Sequence, residues 1–475
     1  MIWKTAWKNV WRNQVRSFIV IASITTGVFA AVFSVAFMNG MIAQRVDAAL
    51  DQEISHIQVS GKDFRLNNDP HLTIHDIGRT ESIIKQTGEI AGTVRRTVIG
   101  GMAATATKSA GIEIVGIDPE QEKKIFTLNT AIIEKTGGFF ETNSRTDQVL
   151  IGQDLAKELN IIRFIIDSIV IRKLRDQVIP DDVLVRLSEQ TGVRFLSEKQ
   201  FNKTIRGILS KKEIGRYFHK IKKEAWSYRE GSRLTLTFLD RDNNQVDMRF
   251  RVCGIYDTKN SIFEMSKVFV LNEDLKRLAG FSNDDFHQII IRLNDAEQTE
   301  EITAMLRSGL PDLDIVNWKE LQPDLAMMTD YVHQIYGILM VIIMAALAFG
   351  IVNTMLMAVL ERTKELGMLA AIGMNRRKIF SMIMLESVFL SAIGGITGML
   401  VARIVILLTA RNGINFLQYA EGMEAWGYSA HIFPEIETGF FIMMAVLVIV
   451  TGILSSIYPA IKALKLNPVE AIRTE

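Results

Sequence analysis

The chain has 475 residues, of which 48% are hydrophobic and 23% charged, with 54 basic against 53 acidic side chains and a formal net charge of +1. That balance excludes a disordered chain and a strongly basic nucleic-acid binder. The length allows two or three domains, each able to bury an ordinary core. A mean hydropathy of +0.17 beside so many charges then requires the apolar residues to be concentrated.

The first element is WKTAWKNVWR at 3–12, which puts Trp3, Trp7 and Trp11 on one helical stripe and Lys4, Lys8 and Arg12 on the next. Indoles at headgroup depth with cations beside them describe an interfacial elbow helix over 1–16. Residues 17–41 follow as a first membrane span, and its 17–38 portion carries no charge. That run is too long for the hydrophobic region of a signal peptide, and no A-x-A site follows, so a retained anchor is expected.

Residues 42–334 read as a large α+β domain. Strand-like runs recur at 56–61, 112–118, 233–240, 248–257, 267–272 and 288–294. Helical patterns lie at 273–280 and 295–309. Alternation in RLTLTF and RFRV predicts half-buried antiparallel strands joined by the turn cluster DRDNNQ. Within this domain residues 161–228 alternate apolar and basic residues at helical spacing, with VRFL the one strand-like stretch. They hold fifteen Lys and Arg against eight Asp and Glu, a net of +7 in a nearly neutral chain. They predict a basic helical insertion, read either as solvated helices or as a docking surface for an acidic partner or lipid headgroups. Cys253 is the lone cysteine and has no disulfide partner in the chain.

Three further apolar runs, 335–360, 379–409 and 438–459, predict the second to fourth spans. Between them lie a short basic segment at 361–378 and a loop at 410–437, and a tail at 460–475 closes the chain. Basic residues cluster at the N-terminus, at 361–378 and in the tail, which a one-plus-three layout of four spans places on one side. That side is expected to be cytoplasmic, with the large domain and the short loop outside. Within spans, Glu386 and Arg403 are the ionisable residues. Each is a functional candidate because inserting a charge is costly, and each has a plainer reading as a structural pair or a snorkelling side chain.

No P-loop, G-x-S-x-G or H-E-x-x-H pattern occurs. His71 and His75 have a ligand spacing only if helical, and Pro70 argues for a loop, so no metal site is expected. No catalytic residue is expected either.

The inter-span segment ERTKELGMLAAIGMNRRKIF places Leu366, Leu369, Ala370 and Gly373 at i, i+3, i+4 and i+7, a narrow apolar face on a short helix kept slim by Gly367 and Gly373. This segment resembles the ERT-E-G-L-AIGA-R signature of the FtsX-like permease family, the membrane subunits of MacB, FtsX and lipoprotein-releasing ABC systems. AWKNVWRNQVRSFIV resembles that family's N-terminal elbow, and YPAIKALKLNPVEAIR at 458–473 resembles its closing segment.

The resemblance implies a MacB-like periplasmic core on a four-span bundle in a bacterial inner membrane, with both termini cytoplasmic. It implies a homo- or heterodimer of permeases, each gripping a cytoplasmic ABC ATPase dimer through a coupling helix. That helix would present Glu361, Arg362, Thr363, Lys364, Glu365, Leu366, Gly367, Leu369, Ala370, Ile372 and Gly373. ATP and Mg would sit on the ATPase, and this chain would bind no cofactor and carry no enzymatic activity.

FMNGM at 37–41, VGIDPEQEKKIFTLN at 115–129 and VLIGQDLAKELN at 149–160 further resemble the LolC/LolE-type lipoprotein-releasing permeases. That implies a lipoprotein substrate, a periplasmic chaperone as partner and an acyl entry gap at Ala30, Ala31, Met38 and Gly40. Two departures stand out. The insertion interrupts the expected run from LAKELN to REGSRLTLTF, and DRDNNQ replaces the Pro-rich loop of the chaperone-hooking subunits. MacB-like export of peptides or antibiotics, and FtsX-like control of a wall hydrolase, are the competing expectations.

Overall fold

The computed structural model describes residues 2–465 apart from 142, 143, 145, 178, 196 and 230. The end of the closing motif, 466–473, therefore lies outside the described residues. The chain divides into two compact units: Met1–Arg45 with Asp324–Ala420 and Ser429–Glu475, and Val46–Pro323 with Glu421–Tyr428.

In the first unit, four helices are long and apolar enough to cross a membrane. The first runs Gln14–Ala48, the second Pro323–Glu361, the third Arg376–Asn412 and the fourth Thr438–Leu464. The first two overshoot their apolar runs, because polar residues at either end still favour helix once a long apolar segment has nucleated it. The third helix is central. A side chain at Gly394 would strike Ile24, one at Gly398 would strike the Thr25 carbonyl and Val28, and one at Gly395 would press on Val448. Small residues let the backbones close in, as expected where packing and not hydrophobicity drives helix association in lipid. The Thr25 and Thr397 hydroxyls meet at 2.7 Å, and Ser387 donates to the Gly452 carbonyl at 3.0 Å.

The second unit carries twelve strands among its described residues: β1 (Ile57–Gly61), β2 (Ile90–Ala104), β3 (Ser109–Ile117), β4 (Gln148–Gly152), β5 (Ile162–Ile165), β6 (Arg194–Phe195), β7 (Trp226–Tyr228), β8 (Arg233–Leu239), β9 (Gln245–Tyr256), β10 (Lys267–Leu271), β11 (Gln288–Leu293) and β12 (Leu313–Asn317). Nine form one sheet in the order β12-β1-β11-β2-β3-β10-β4-β9-β8, and β8 pairs back onto β2. The long strand β2 serves both halves. Its Ile90–Arg96 part pairs with β11, and Thr97–Ala104 pairs with β3, the last four residues also meeting β8. Gly101 is required at that crossing, where a Cβ would lie 2.6 Å from the Thr237 carbonyl. β8 and β9 are the antiparallel pair that alternation predicts, Leu234 facing Phe250. Asp240 closes their turn by accepting the Asp242 and Asn244 amides at 2.9 and 2.8 Å.

The insertion is not purely helical. β5 pairs with β6 and β7 in a separate three-stranded sheet, and helices Ser168–Asp176, Asp181–Ser188, Glu198–Ile208 and Lys211–Ala225 pack on it. Its core centres on its own aromatics: Phe164 stacks on Phe201 at 4.5 Å, Phe195 meets Phe201 edge-on, and Leu174, Leu187 and Ile221 are fully buried around them, while Ile162 and Trp226 also pack against the core of the nine-stranded sheet. The strands are only two to four residues long, too short for a period-two pattern to stand out.

Candidate functional site

The segment joining the second and third spans is where sequence-singled residues converge. The second span ends at Glu361, a short helix runs Thr363–Ala371, and the third span starts at Arg376 under an Asn375 cap that accepts the Arg377 amide at 2.9 Å. Gly373 has φ +88° and lies in the turn, where Ile372 and Met374 amides return to the Met368 and Leu369 carbonyls at 3.0 Å. Gly373 is therefore off the helix, and the predicted i+7 position does not exist. The turn needs a left-handed residue, which glycine supplies without steric cost.

The apolar face is also corrected. Leu366 is buried and Leu369 half-buried within the unit, whereas Met368, Ile372 and Met374 are exposed, Ile372 at 78%. Gly367 is buried as well, while Thr363 is half-buried and Lys364 exposed. The side chain of Ala370 lies outside the described residues.

Charges tie this segment to the elbow helix Ile2–Arg12. Arg12 holds Glu365 with two contacts of 2.8 and 2.6 Å, and Arg16 holds Glu361 at 3.0 Å. The hydrogen bond from Arg12 keeps the Glu365 carboxyl below the usual carboxylate range and raises the arginine in return. Both ladders advance by four residues, one helical turn, in opposite directions. Behind them Glu386, 3% exposed, accepts from Arg362 at 3.0 and 3.2 Å and lies 3.6 Å from Arg16. Arg362 also donates to the Asn9 carbonyl at 3.3 Å. A carboxylate buried in an apolar helix bundle is thus faced by two guanidinium groups, the arrangement that desolvation demands.

The elbow presents Ala6 and Val10 as its buried face. The indoles flank that face: Trp3 and Trp7 meet Phe389 edge-on at 5.7 and 5.4 Å, and Trp11 stacks edge-on with Trp7. Lys4 and Lys8 are exposed. Arg403 is exposed with its guanidinium 5.8 Å from the Phe441 ring, remote in sequence from the charge lattice.

The acyl-gap residues differ in their surroundings. Ala31 and Gly40 are buried, and a side chain at Gly40 would lie 2.0 Å from the Phe433 carbonyl. Met38 is half-buried. Ala30 alone of the four lines a cavity of about 450 Å³ between the first and second spans, with Ser23, Gly27, Leu347 and Asn353 among its walls. Gly40 needs its missing side chain for a helix–loop contact, which explains a small residue there without any ligand.

In the second unit the His71 ring pairs with Asp69 at 2.8 Å in a turn, so His71 and His75 share no helical face. No group of three His, Cys, Asp or Glu among the described residues could hold a metal. Cys253 donates to the Val149 carbonyl at 3.4 Å and burial pushes its thiol up to about 12, the mark of an inert cysteine. Sequence reasoning missed Arg16, Asn9 and two buried histidines. Arg16 could have been found from the matched i,i+4 spacing of Arg12/Arg16 and Glu361/Glu365. His56 and His287, whose Nδ1 atoms accept the Leu293 and Val98 amides, had no sequence signal.

This bundle carries a recognised domain: residues 337–468 match the FtsX-like permease C-terminal family. The homologues are ABC transporter permeases. The chain is 25% identical over 246 residues to an uncharacterized ABC transporter permease, MJ1507 of Methanocaldococcus jannaschii, covering 48% of this chain and 56% of that protein. It is 28% identical over 245 residues to the uncharacterized ABC transporter permease YvrN of Bacillus subtilis, covering 48% and 55%. It is 32% identical over 170 residues to the macrolide export ATP-binding/permease protein MacB of Chlorobium luteolum, covering 36% and 23%. The chain thus spans about half the length of the first two relatives. The extracellular domain of YknZ, from Gram-positive bacteria, aligns with 55% of this chain and 98% of its own at 11% identity and a TM-score of 0.28.

Proposed function

We propose that this chain is the membrane permease subunit of an ATP-driven ABC system in a bacterial inner membrane, with hydrolysis on a separate ATPase dimer. One observation carries the reading: the helix Thr363–Ala371 is braced on one side by Arg12 and on the other by the buried Arg362–Glu386 pair, leaving Met368, Ile372 and Met374 outward. A braced segment between two spans is a lever, since displacement at Ile372 is passed to both helices rather than absorbed by a loose loop. A residue cluster that is apolar, small and exposed beside charges suits docking in a cleft of a partner. In this reading the chain works as one of a pair of permeases, and the spans relay ATPase closure to the second unit.

For cargo, extraction of lipoproteins for a periplasmic chaperone rests on the motifs at 37–41, 115–129 and 149–160. Each buried CH₂ of a lipid anchor adds about 0.8 kcal/mol to the release barrier, so such extraction needs coupling to ATP. MacB-like export of peptides or antibiotics is equally supported, through the macrolide-export relatives. The test is native copurification with identification of every partner, followed by crosslinking from Ile372→Cys. Recovery of an ATPase crosslinked at 372 is expected, and a complex without any nucleotide-binding subunit rejects the proposal. Depletion then separates the cargoes: mislocalised lipoproteins support the first, and correct sorting with a loss of drug or peptide efflux supports the second.

A further inference from the structure

The hairpin of helices Glu198–Ile208 and Lys211–Ala225 puts its apolar residues, Phe201, Ile205, Ile221 and Ala225, into the insertion's core. The opposite, solvent side of both helices is basic. At 100° per residue, Lys199, Lys203 and Arg206 form a stripe opposite Phe201. Lys212, Arg216, His219 and Lys223, with Lys220 beside them, form another opposite Ile221. Because both helices bury their far sides in one core, the two stripes belong to one face. All of these residues are exposed.

The local carboxylates do not neutralise this face. Glu198 is held by Lys222 at 2.5 Å, Glu213 by Arg186 at 2.7 Å and Glu224 by Lys173 at 3.8 Å, all cations outside the two stripes. Seven Lys and Arg side chains therefore repel one another with no acid paired to them among the described residues. No large apolar side chain of 198–225 is exposed. A protein partner would want an apolar anchor at the centre of its interface, and an inserting amphipathic helix would want an apolar side turned to lipid. This face offers neither. It offers an array of cations whose longer stripe, Lys212–Lys223, runs about 16 Å, on a chain that four helices long and apolar enough to cross a membrane tether to a bilayer.

We propose that the insertion is an electrostatic membrane-contact module, whose two basic stripes adsorb on anionic phospholipid headgroups without inserting. Adsorption of this kind scales with the number of cations and is screened by salt within a Debye length.

The test uses the full chain in neutral phosphatidylcholine nanodiscs, mixed with vesicles of phosphatidylcholine containing about 30% phosphatidylglycerol, and reads co-sedimentation at low and high salt. Binding is expected at about 0.05 M salt and lost at about 0.5 M. The quadruple variant K199Q/K203Q/K212Q/K220Q is expected to bind at least about tenfold less. The equal-charge control K62Q/K85Q/K108Q/K124Q, on the same unit, is expected to bind like the parent. All four sites of the test variant are exposed, and unchanged circular dichroism and melting show that it folds. Equal loss in both variants, or undiminished binding by the quadruple variant, overturns the proposal. So does a chain that ignores the vesicles yet captures soluble polyphosphate or an acidic polypeptide through the same lysines.

Discussion

Arg362 and Glu386 lie twenty-four positions apart and meet at 3.0 Å, one just past the second span and the other nearly three turns into the third. Their side chains are 10% and 5% exposed. The pair fixes the start of the inter-span helix against the span that follows it, and Arg16, in the first turn of the helix Gln14–Ala48, approaches the same carboxylate.

Removing the carboxylate alone should be the costly change. Glu386→Gln leaves the buried Arg362 guanidinium without its anion, while Arg16 keeps Glu361, an effect of about 3–5 kcal/mol when a buried pair is broken from one side. Replacing both partners, R362M with E386L, should recover much of that loss, because no charge is then stranded between Arg362 and Glu386. Thermal unfolding in detergent would compare the variants, and a double variant less stable than the single would refute the pairing argument.

The second unit should show two opposed pH responses. Glu264 is 2% exposed, accepts the Thr258 amide at 2.7 Å, and is raised to about 7 by burial and then by Asp257. Its folded form holds a proton more tightly than the unfolded chain does, so its contribution is full below about 4.5 and is lost as pH rises through about 7. His56 is lowered to about 4 by burial, its Nδ1 engaged by the Leu293 amide. Its contribution is present above about 6.5 and is lost as pH falls toward 4. Glu264→Gln should therefore flatten the decline between about pH 4.5 and 7, and His56→Gln the decline below about 6.5. Denaturant melts across that range would decide, and identical profiles for parent and variants would exclude both assignments.

The insertion should be removable. Its ends are neighbours: Arg229 donates to the Ile161 carbonyl at 3.2 Å, and Ile162 pairs with Tyr228 across β5 and β7. Replacing 163–227 by a tight Asn-Gly turn joins two residues already in register. The nine-stranded sheet should survive with a modest loss in melting, because Phe164, Phe195 and Phe201 lie in the insertion's core and Trp226 is the deleted hydrophobic residue that also packs against the sheet's core. In the intact chain Phe201→Ala should cost about 3–5 kcal/mol within the insertion alone. Hydrogen exchange that loosened β2 and β3 in either variant would show that the cores are shared.

Much of this was legible from patterning. The four spans announced themselves by length, and the strands β8, β9, β10 and β11 by their β-branched residues. β2 did not, because Arg95, Arg96, Gly100 and Gly101 break its alternation, and their reasons are tertiary: Arg96 is buried on Glu122, and Gly101 meets β8. β5 and β7 were hidden by a basic helical context that dominates their few residues. At the site, the charge positions were readable, but the direction of the apolar face was not. An i, i+3, i+4 pattern marks a buried face without telling whether a neighbour in the same chain or a partner buries it.

That ambiguity gives the sharpest prediction. Leu366 is 6% exposed and turned into its own unit, whereas Ile372 is 78% exposed at the end of the same segment. Leu366→Ala should behave as a core truncation, costing about 2–4 kcal/mol and lowering the melting temperature. Ile372→Asp removes little buried surface and should leave melting within about 0.5 kcal/mol of the parent. If the exposed edge is the ATPase grip, Ile372→Asp should nonetheless cut copurification of the ATPase at least about tenfold, as a charge at an apolar anchor does. The two variants therefore separate on two axes, stability and association. An Ile372→Asp chain that holds its partner as firmly as the parent, while Leu366→Ala releases it without unfolding, would return the grip to the face that the sequence pattern proposed.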